Sequence, residues 1–329
     1  MCYTGLVTLT QLEAFVLVAR LGSVRAAANV LGVSEPAVSG ALASLRQHLG
    51  DPLIQRAPSG AGMVLTPGGR RLVGIASQMV NLGAEAAAAI RQAQGAPELI
   101  RVAATSTVAE FVAPHLITAF TARASAVEAS VGVAGAGEMG ALLHERLADA
   151  CFGPRLNSKQ ADGLECRPMM RYQLVVVAAP DHHLAGRTKI SWRAMAAEDW
   201  LIDPSGTDSS TEVGMLLDRL HVPASRVRVF SGQAAAWMAA ADGEGVAPAI
   251  SHLVDRDVQR GALTRLDVVG TPVPLLWWAS TLSAGRQTPG VVALHRFLDT
   301  PEAMQSMHRS DGGVPASRFR PPVYVTLWS

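Results

Sequence analysis

The sequence predicts an α+β protein of several domains, in which a helical N-terminal third precedes a longer α/β region. Residues 23–49 have the pattern of two short helices joined by a tight turn, and residues 67–94 that of one long helix with heptad spacing. From Leu99 onward apolar strand-like runs alternate with helical runs, which is typical of mostly parallel α/β layers. With 329 residues, 49% of them hydrophobic, the chain can bury the cores of two or more domains.

The turn between the two short helices has strong local signals. Ser23 is expected to cap the first helix, Val24–Leu31, through its hydroxyl, and Gly32 to end that helix in the left-handed conformation. Ser34 is expected to cap the second helix, with Glu35 in the first turn, where the helix dipole favours an acid. These signals predict a helix-turn-helix.

The second helix combines a buried stripe with an outer face of small residues. A small outer face lets a helix approach a surface closely, as the DNA major groove requires. An ordinary antiparallel helix pair is the alternative that this segment leaves open. The inward stripe is Val38, Leu42, Leu45 and Leu49, and the outer face is Pro36, Ser39, Gly40 and Ala43.

The flanking segments favour the DNA-binding alternative. Upstream, the spacing of Thr10 and Glu13 predicts a capping box that opens a further helix. Downstream, Gly60 and Gly62 lie between two short apolar runs within residues 51–66, as expected of a β-hairpin, or wing.

The long helix offers a way to pair two copies of the chain. Thr66 is expected to cap it, and residues 67–94 would form a rod of roughly 42 Å. Packing of this helix on its own domain is the alternative, but two small domains leave little else to cover an apolar seam, so self-pairing is expected. The seam positions are Leu72, Ile75, Met79, Leu82, Ala86, Ala89 and Ala93.

The positive charge is concentrated at the N-terminal end. Residues 1–97 contain seven arginines, no lysine and four acids, a net charge of +3, whereas the remainder has 21 basic and 23 acidic residues, a net charge of −2. Contact with DNA phosphates requires such an excess. Because the excess is small, we expect two or more copies on each DNA site.

Composition also bears on the compartment. No apolar run approaches the about 20 residues that span a bilayer, so no membrane association is expected. The three cysteines, Cys2, Cys151 and Cys166, form no C-x-x-C pair, and such a sparse, odd set is typical of reduced thiols in the cytoplasm.

Four blocks of this sequence, in this order and spacing, resemble the LysR-type transcriptional regulators: LTQLEAFVLVA, SVRAAANVLGVSEPAVS, LRQHLGDPLIQR and VLTPGG. The resemblance continues more loosely to about residue 299 and leaves the tail, 301–329, without an assigned role. It implies a winged helix-turn-helix DNA-binding domain over 1–66 and a linker (dimerisation) helix over 67–96. It further implies a two-lobed, periplasmic-binding-protein-like effector domain over 97–300, with lobe I at about 97–162 and 266–300 and lobe II at about 163–265.

The function implied by the resemblance is sequence-specific DNA-binding regulation of transcription. A dimer or tetramer, paired through the 67–94 helix, would bind an interrupted palindrome in double-stranded DNA and respond to a small-molecule effector between the lobes. RNA polymerase is a further partner that the family suggests. No cofactor is implied. The DNA-binding positions are Ser23, Arg25, Ser34, Glu35, Pro36, Ser39, Gly40 and Arg56.

The reading helix departs from the family pattern at two positions. Family members usually carry glutamine where Glu35 stands and arginine where Gly40 stands, and a second basic residue is common in the wing where this chain has Ser59 and Gly60. These departures remove hydrogen-bond donors, so we expect specificity to depend more on Arg56 and on DNA shape.

The effector cleft is expected where two hydroxyl-rich loops follow strands and precede helices. Helix capping explains at least one hydroxyl in each loop, and the spacing predicts capping boxes of Thr107 with Glu110 and of Ser209 with Glu212. Asp208 stands where the family often has an arginine, which places a carboxylate effector in doubt. The candidate effector-binding residues are Thr105, Ser106, Thr107, Phe152, Pro204, Ser205, Gly206, Thr207, Gly245 and Val246.

Other conspicuous residues are expected to be structural. His182–His183 has no Cys, Asp or Glu at ligand spacing, so no metal site is expected. Trp277–Trp278 is expected in the core, and Cys151 and Cys166 as buried thiols, with a redox pair as the alternative.

Two other classes of protein were weighed. A small-molecule-binding protein without a DNA role would share the α/β region but not the helix-turn-helix. An enzyme would need a catalytic set, and the sequence contains no G-x-S-x-G motif, P-loop or zinc-ligand pattern, so no catalytic residue is expected.

Overall fold

The computed structural model describes residues 7–56, 63–209 and 211–309, which fall into two compact units. The first unit contains the described residues up to Glu98 together with residues 141–148, and the second contains the rest. The predicted wing tip with Ser59, Gly60 and Gly62, the residue Ser210 and the tail from 310 lie outside the described residues.

The first unit has the element order that the sequence predicts. The helix pair is confirmed to the residue at α2, and β1 and β2 form the expected antiparallel hairpin. Its elements are α1 (Leu9–Leu21), α2 (Val24–Leu31), α3 (Glu35–Leu49), β1 (Ile54–Arg56), β2 (Met63–Leu65) and α4 (Pro67–Ala93).

Two predicted end signals of α2 are confirmed. The Ser23 hydroxyl accepts the backbone N–H of Ala26 at 3.3 Å, and Gly32 has φ 65° in the left-handed region. Two other capping predictions are wrong. Thr8, not Thr10, caps α1, and Ser34 precedes α3 without a capping hydrogen bond from its side chain.

A small hydrogen-bonded cluster joins the wing to α4. Asp51 accepts the Leu53 backbone N–H at 2.6 Å and the Thr66 hydroxyl at 2.7 Å, which lowers the pKa of the Asp51 carboxyl, and Thr66 accepts the Gly69 N–H at 2.9 Å as the predicted cap of α4. A Cβ on Gly69 would lie 2.1 Å from the Leu53 carbonyl oxygen, so only glycine fits there. The core beneath includes Leu12, Phe15, Val38, Leu42, Leu45, Leu53 and Val73.

The second unit is a mixed α/β structure. Its strands, of which β3 starts at the unit boundary, are β3 (Glu98–Ala104), β4 (Val127–Val133), β5 (Ala150–Gly153), β6 (Leu164–Ala178), β7 (Trp200–Ile202), β8 (Val227–Val229), β9 (Ala247–Ile250), β10 (Thr264–Leu266) and β11 (Val273–Leu282). Its helices, of which α6 crosses the unit boundary, are α5 (Ala113–Arg123), α6 (Met139–His144), α7 (Trp192–Ala196), α8 (Glu212–Arg219), α9 (Gln233–Ala241), α10 (Asp255–Gln259), α11 (Pro289–Leu298) and α12 (Pro301–Met307).

The main sheet has the order β10-β6-β11-β5-β3-β4, with β9 also paired to β6. Strands β3 and β5 are parallel, as are β7 and β8 in a second small sheet. The prediction of a mostly parallel arrangement is wrong at the centre, where β11 runs antiparallel to both β5 and β6. The long antiparallel pairing of β6 with β11, from Leu164 to Leu174 against Val273 to Leu282, sets the topology of this sheet.

Two helix starts in this unit differ from their predictions. Thr107 has helical φ and ψ and makes no side-chain cap, because a π-helical turn, Val108–Val112, replaces the predicted capping-box start. Helix α8 is capped by Thr211, whose hydroxyl accepts the Gly214 N–H at 3.1 Å, and not by Ser209.

The structured part of the second unit extends beyond the predicted domain end at 300. Ala303 and Met307 of α12 are buried in the main core, and Glu302 pairs with Arg123 of α5 at 3.1 Å. The first residues of the predicted tail therefore form part of the domain.

Candidate functional site

The N-terminal half of α3 presents an open face. Glu35, Pro36, Ser39 and Gly40 are exposed, while Val38 from the same turns is buried. A Cβ on Gly40 would meet nothing within 4 Å. A flat macromolecular surface can therefore come close to this helix.

One arginine lies beside the open face, and a second is exposed elsewhere in the same unit. The Arg25 guanidinium lies 4.0 Å from the Glu35 carboxylate, and both side chains are exposed. Arg56 is exposed at the end of β1. Of the remaining candidates, Ser34 is exposed, whereas Ser23 is half-buried and uses its hydroxyl as the α2 cap.

Helix α4 packs on its own unit along only one face. Val73 and Ala76 are buried there, and Leu72 from the predicted seam lies partly against the same core. The rest of the seam, including Ile75 and Leu82, is exposed. The 27-residue helix is long and apolar enough to cross a membrane by length and composition alone, which the sequence analysis did not anticipate. The exposed seam residues are Ile75, Met79, Leu82, Ala86, Ala89 and Ala93.

The second unit contains a cavity of about 560 Å³. Ligand pockets in proteins typically measure about 300–1,000 Å³. Both predicted loops contribute to its wall, through residues 105–107 and through Pro204 and Ser205.

The other candidate effector residues lie away from the cavity. Phe152 is fully buried in the main core, and a Cβ on Gly206 would lie 2.9 Å from Val213, inside the loop packing. Thr207 uses its hydroxyl to donate to the Pro204 carbonyl at 2.8 Å.

Gly245 and Val246, which were also predicted to bind the effector, are not among the residues that line the cavity. A Cβ on Gly245 would lie 2.2 Å from the Asp199 carbonyl oxygen, and the Val246 N–H donates to that same oxygen at 2.9 Å. The two residues therefore hold the start of β7 and do not line the cavity.

An aromatic pair and three acids on the cavity wall are not among the predicted site residues. Tyr172 of β6 and Trp277 of β11 stack with ring centroids 4.4 Å apart. Tyr172 also donates its hydroxyl to the Glu212 carboxylate at 3.2 Å. Burial of Trp277 was predicted, but its position on the cavity wall depends on strand pairing. The other acids on the wall that were missed are Glu110 and Asp203.

Asp203 connects the two predicted loops. The Ser106 hydroxyl donates to its Oδ2 at 2.5 Å, and the Ser205 hydroxyl donates to Oδ1 and Oδ2 at 2.9 and 3.0 Å. The Asp203 side chain is completely buried. One carboxylate therefore holds together loops that lie about a hundred residues apart in the chain.

Glu110 lies on the same wall and caps a distant helix. Its carboxylate accepts the backbone N–H groups of Gln233 and Ala234, at the start of α9. Burial raises the pKa of the Glu110 carboxyl, those two N–H groups lower it, and the charge of Asp203 raises it further. The two carboxylates are thus close enough to repel each other.

The cysteines do not form a redox pair. Cys151 on β5 and Cys166 on β6 both pair with Ser280 of the strand between them, so their backbones are separated by two strand spacings, roughly 10 Å. A disulfide requires less than about 7 Å between Cα atoms. Burial also raises the pKa of the Cys151 thiol, which keeps it protonated.

The two histidines do meet a carboxylate, contrary to the sequence analysis. Glu198 lies 3.4 Å from His182 Nε2 and 3.0 Å from His183 Nε2. The Leu184 N–H donates to His182 Nδ1 at 3.3 Å, which places the ring proton on Nε2, facing Glu198. A metal would need that Nε2 lone pair, so the arrangement favours a hydrogen-bonded cluster.

Known protein families match both units. Residues 9–70 match the family described as bacterial regulatory helix-turn-helix protein, lysR family, and residues 93–300 match the LysR substrate binding domain. The uncharacterized HTH-type transcriptional regulator Rv0377 of Mycobacterium tuberculosis is 36% identical over 324 residues, which cover 98% of this chain and 100% of that protein. The HTH-type transcriptional regulator CfxR of Cupriavidus necator is 26% identical, over 94% of this chain and 96% of that protein.

Solved structures show the same fold. Full-length CbnR in complex with its target DNA is similar with a TM-score of 0.60 at 20% identity, over 91% of this chain and 99% of that chain. The helix-turn-helix match disfavours a small-molecule-binding protein without a DNA role. The open face of α3, the α/β domain with its cavity and the matches over both units together lead to one conclusion: this chain belongs to the LysR family of bacterial helix-turn-helix transcriptional regulators.

Proposed function

We propose that the chain binds an interrupted palindrome through the exposed N-terminal half of α3, assisted by Arg25 and Arg56. The observation that carries this proposal is the small, open face of α3 around Gly40, with the exposed Arg25 guanidinium 4.0 Å from Glu35 on the same helix. Small residues allow close approach to base edges, and arginines bind phosphates. Ser39 is the hydroxyl placed to donate to a base edge or phosphate.

A binding titration on the full chain tests this function. Fluorescence anisotropy at fixed, low salt would compare DNA from upstream of its own gene with a scrambled sequence of the same length. We expect tighter binding to the upstream DNA. Equal affinity for both sequences would reject sequence-specific regulation by this chain.

We also infer that a second copy covers the exposed seam of α4. Ile75, Met79 and Leu82 are large apolar side chains exposed on one stripe of α4. Heptad spacing of such residues suits helix–helix pairing. One N-terminal end has a net charge of only +3, which is too small for several DNA contacts. A dimer, or a tetramer built from two dimers, would multiply the number of contacts.

The cavity of the second unit is our candidate effector site. It lies against two loops that one hydrogen-bonded carboxylate, Asp203, holds together. A ligand that changes those contacts would change the relative position of the two loops, and we expect this to change the affinity for DNA. A cytoplasmic location and contact with RNA polymerase belong to the same proposal. Identical DNA affinities with and without a proven cavity ligand would contradict the coupling.

A further inference from the structure

The cavity wall indicates the charge of the ligand that it accepts; this inference rests on the proposed function, because it takes the cavity as the effector site. Four carboxylates lie on the wall, and none of the described residues that line it is Lys, Arg or His. An anion would lose its hydration there without gaining a cationic side chain. The four acids are Glu110, Asp203, Asp208 and Glu212.

Many of the hydroxyl protons on the wall are already used. Ser106 and Ser205 donate to Asp203, and Tyr172 donates to Glu212. Thr211 donates to backbone carbonyls at 2.8 and 3.1 Å. A hydroxyl that has donated its proton offers only lone pairs to a ligand. The wall therefore favours a ligand that brings its own hydrogen-bond donors.

One helix end beside the cavity, the N-terminus of α9, is closed to anions. The N-terminus of α9 would attract a carboxylate or phosphate through its free N–H groups. Here the Glu110 carboxylate already accepts the N–H groups of Gln233 and Ala234. An incoming anion would first have to displace a charge that belongs to the chain itself.

The remaining wall suits an apolar or aromatic body. Tyr172 and Trp277 form a stacked pair, and Val133 and Ile250 add aliphatic surface. Aromatic faces attract cations as well as apolar groups. The cavity, at about 560 Å³, is large enough for an aromatic ring with a short side chain.

We propose that the effector is a small organic cation, with an ammonium or guanidinium group carried on an apolar or aromatic body. The cationic group binds beside the half-buried Glu212 carboxylate, on a wall whose described lining residues include four carboxylates and no Lys, Arg or His. The body packs against the Tyr172–Trp277 pair.

Two matched sets of compounds test the charge preference on the full-length chain. The probes are tryptamine, tryptophol and indole-3-propionate, and phenethylamine, 2-phenylethanol and 3-phenylpropionate, measured by calorimetric titration and thermal shift. We expect each amine to bind about ten-fold more tightly than its carboxylate, with the alcohol between them. Equal or tighter binding of the carboxylates, or no binding of either amine at millimolar concentration, would overturn the proposal.

A pair of variants assigns any binding to the cavity. Glu212→Gln keeps an acceptor for Tyr172 but removes a charge, and its half-buried position makes it less disruptive to the fold than a change at Asp203. We expect it to weaken amine binding about ten-fold, while Glu128→Gln, on the exposed surface of β4, leaves binding unchanged. Equal amine affinity of the two variants would contradict the assignment.

The same samples separate this proposal from the proposed function. If a carboxylate binds and changes DNA affinity, the cavity is the effector site but the ligand class is wrong. If the amines bind with the expected preference and DNA affinity does not change, the ligand class holds and the coupling to DNA fails.

Discussion

Gly40 and Gly69 lie in helices of the same unit, but the space around their α-carbons differs. Gly40 faces open space in the middle of α3, whereas Gly69 lies against the Leu53 carbonyl in the first turn of α4. Glycine inside a helix costs conformational entropy and is kept only where something else requires it. At Gly69 the requirement is close packing, and at Gly40 the fold makes no such demand.

Alanine at each position should therefore change stability in opposite directions. Gly40→Ala should raise the free energy of unfolding of the first unit by about 0.5–1 kcal/mol, because alanine is the better helix former. Gly69→Ala should lower it by about 1–3 kcal/mol, because the added methyl forces the helix away from the wing. The urea midpoints of the two variants measure this, and midpoints that move in the same direction would contradict the packing argument.

Arg56 provides a test of DNA contact at a single charge. Arg56→Ala should weaken binding similarly on specific and scrambled DNA and should reduce the slope of log affinity against log salt by about 0.9, as one lost phosphate contact requires. Arg123→Ala, on the surface of the second unit, is the matched control and should leave the slope unchanged. If the two variants behave alike, Arg56 does not contact phosphate.

Glu110 shows why part of the cavity could not be predicted from sequence. Its position three residues after Thr107 predicts a capping box on its own helix. In the structure the carboxylate caps α9, more than a hundred residues further along the chain. Local spacing cannot distinguish these two partners, because the second is brought near only by the tertiary fold.

At the scale of elements, the sequence is most informative where one segment contains its own signals. The α2–turn–α3 segment has its cap, its left-handed glycine and its apolar stripe within 27 residues, and the structure reproduces all of them except the last stripe residue, Leu49, which is exposed. The direction of β11 depends instead on which strands it joins, so alternation alone wrongly favoured a mostly parallel sheet. Tyr172 and Trp277 reach the cavity wall through that same long-range pairing.

The α4 seam makes an element-scale prediction about assembly. Leu82→Lys should convert dimers to monomers, because it places a charge in the centre of the apolar stripe. Ala84→Lys adds the same charge at an exposed position on the other side of the helix and should leave the dimer intact. Light scattering during size-exclusion chromatography gives the masses. A Leu82→Lys protein with the wild-type mass would show that another surface pairs the chains.

At the scale of the whole molecule, buried and half-buried histidines link stability to pH. Burial, and the neighbouring His308, lower the pKa of His252 to about 4, although Asp255 acts in the opposite direction. Burial also lowers the pKa of His182 and His295. An unfolded histidine titrates near about 6.5. Between these values the unfolded chain binds more protons, so stability should fall as pH decreases from about 6.5 towards 4.

Denaturation at several pH values measures this effect. His252→Gln should flatten the decline between pH 6.5 and 4.5, while His48→Gln, an exposed residue at the end of α3, should not. Glu110 acts with the opposite sign, because its raised carboxyl pKa makes the folded state bind a proton at a higher pH than the unfolded chain does. A slope unchanged by His252→Gln would assign the pH dependence to other groups.

The hydrogen bonds that Ser106 and Ser205 donate to Asp203 would influence the affinity of the proposed effector site for its ligand. Because these two hydroxyls and the carboxylate already satisfy one another, a ligand of the proposed site would bind by exchanging hydrogen-bond partners. The affinity for the ligand is then set by the difference in free energy between the contacts that the ligand makes and the internal hydrogen bonds that it replaces. Ser106→Ala, which removes one of these internal hydrogen bonds, should therefore raise the affinity for the ligand without adding a contact to it.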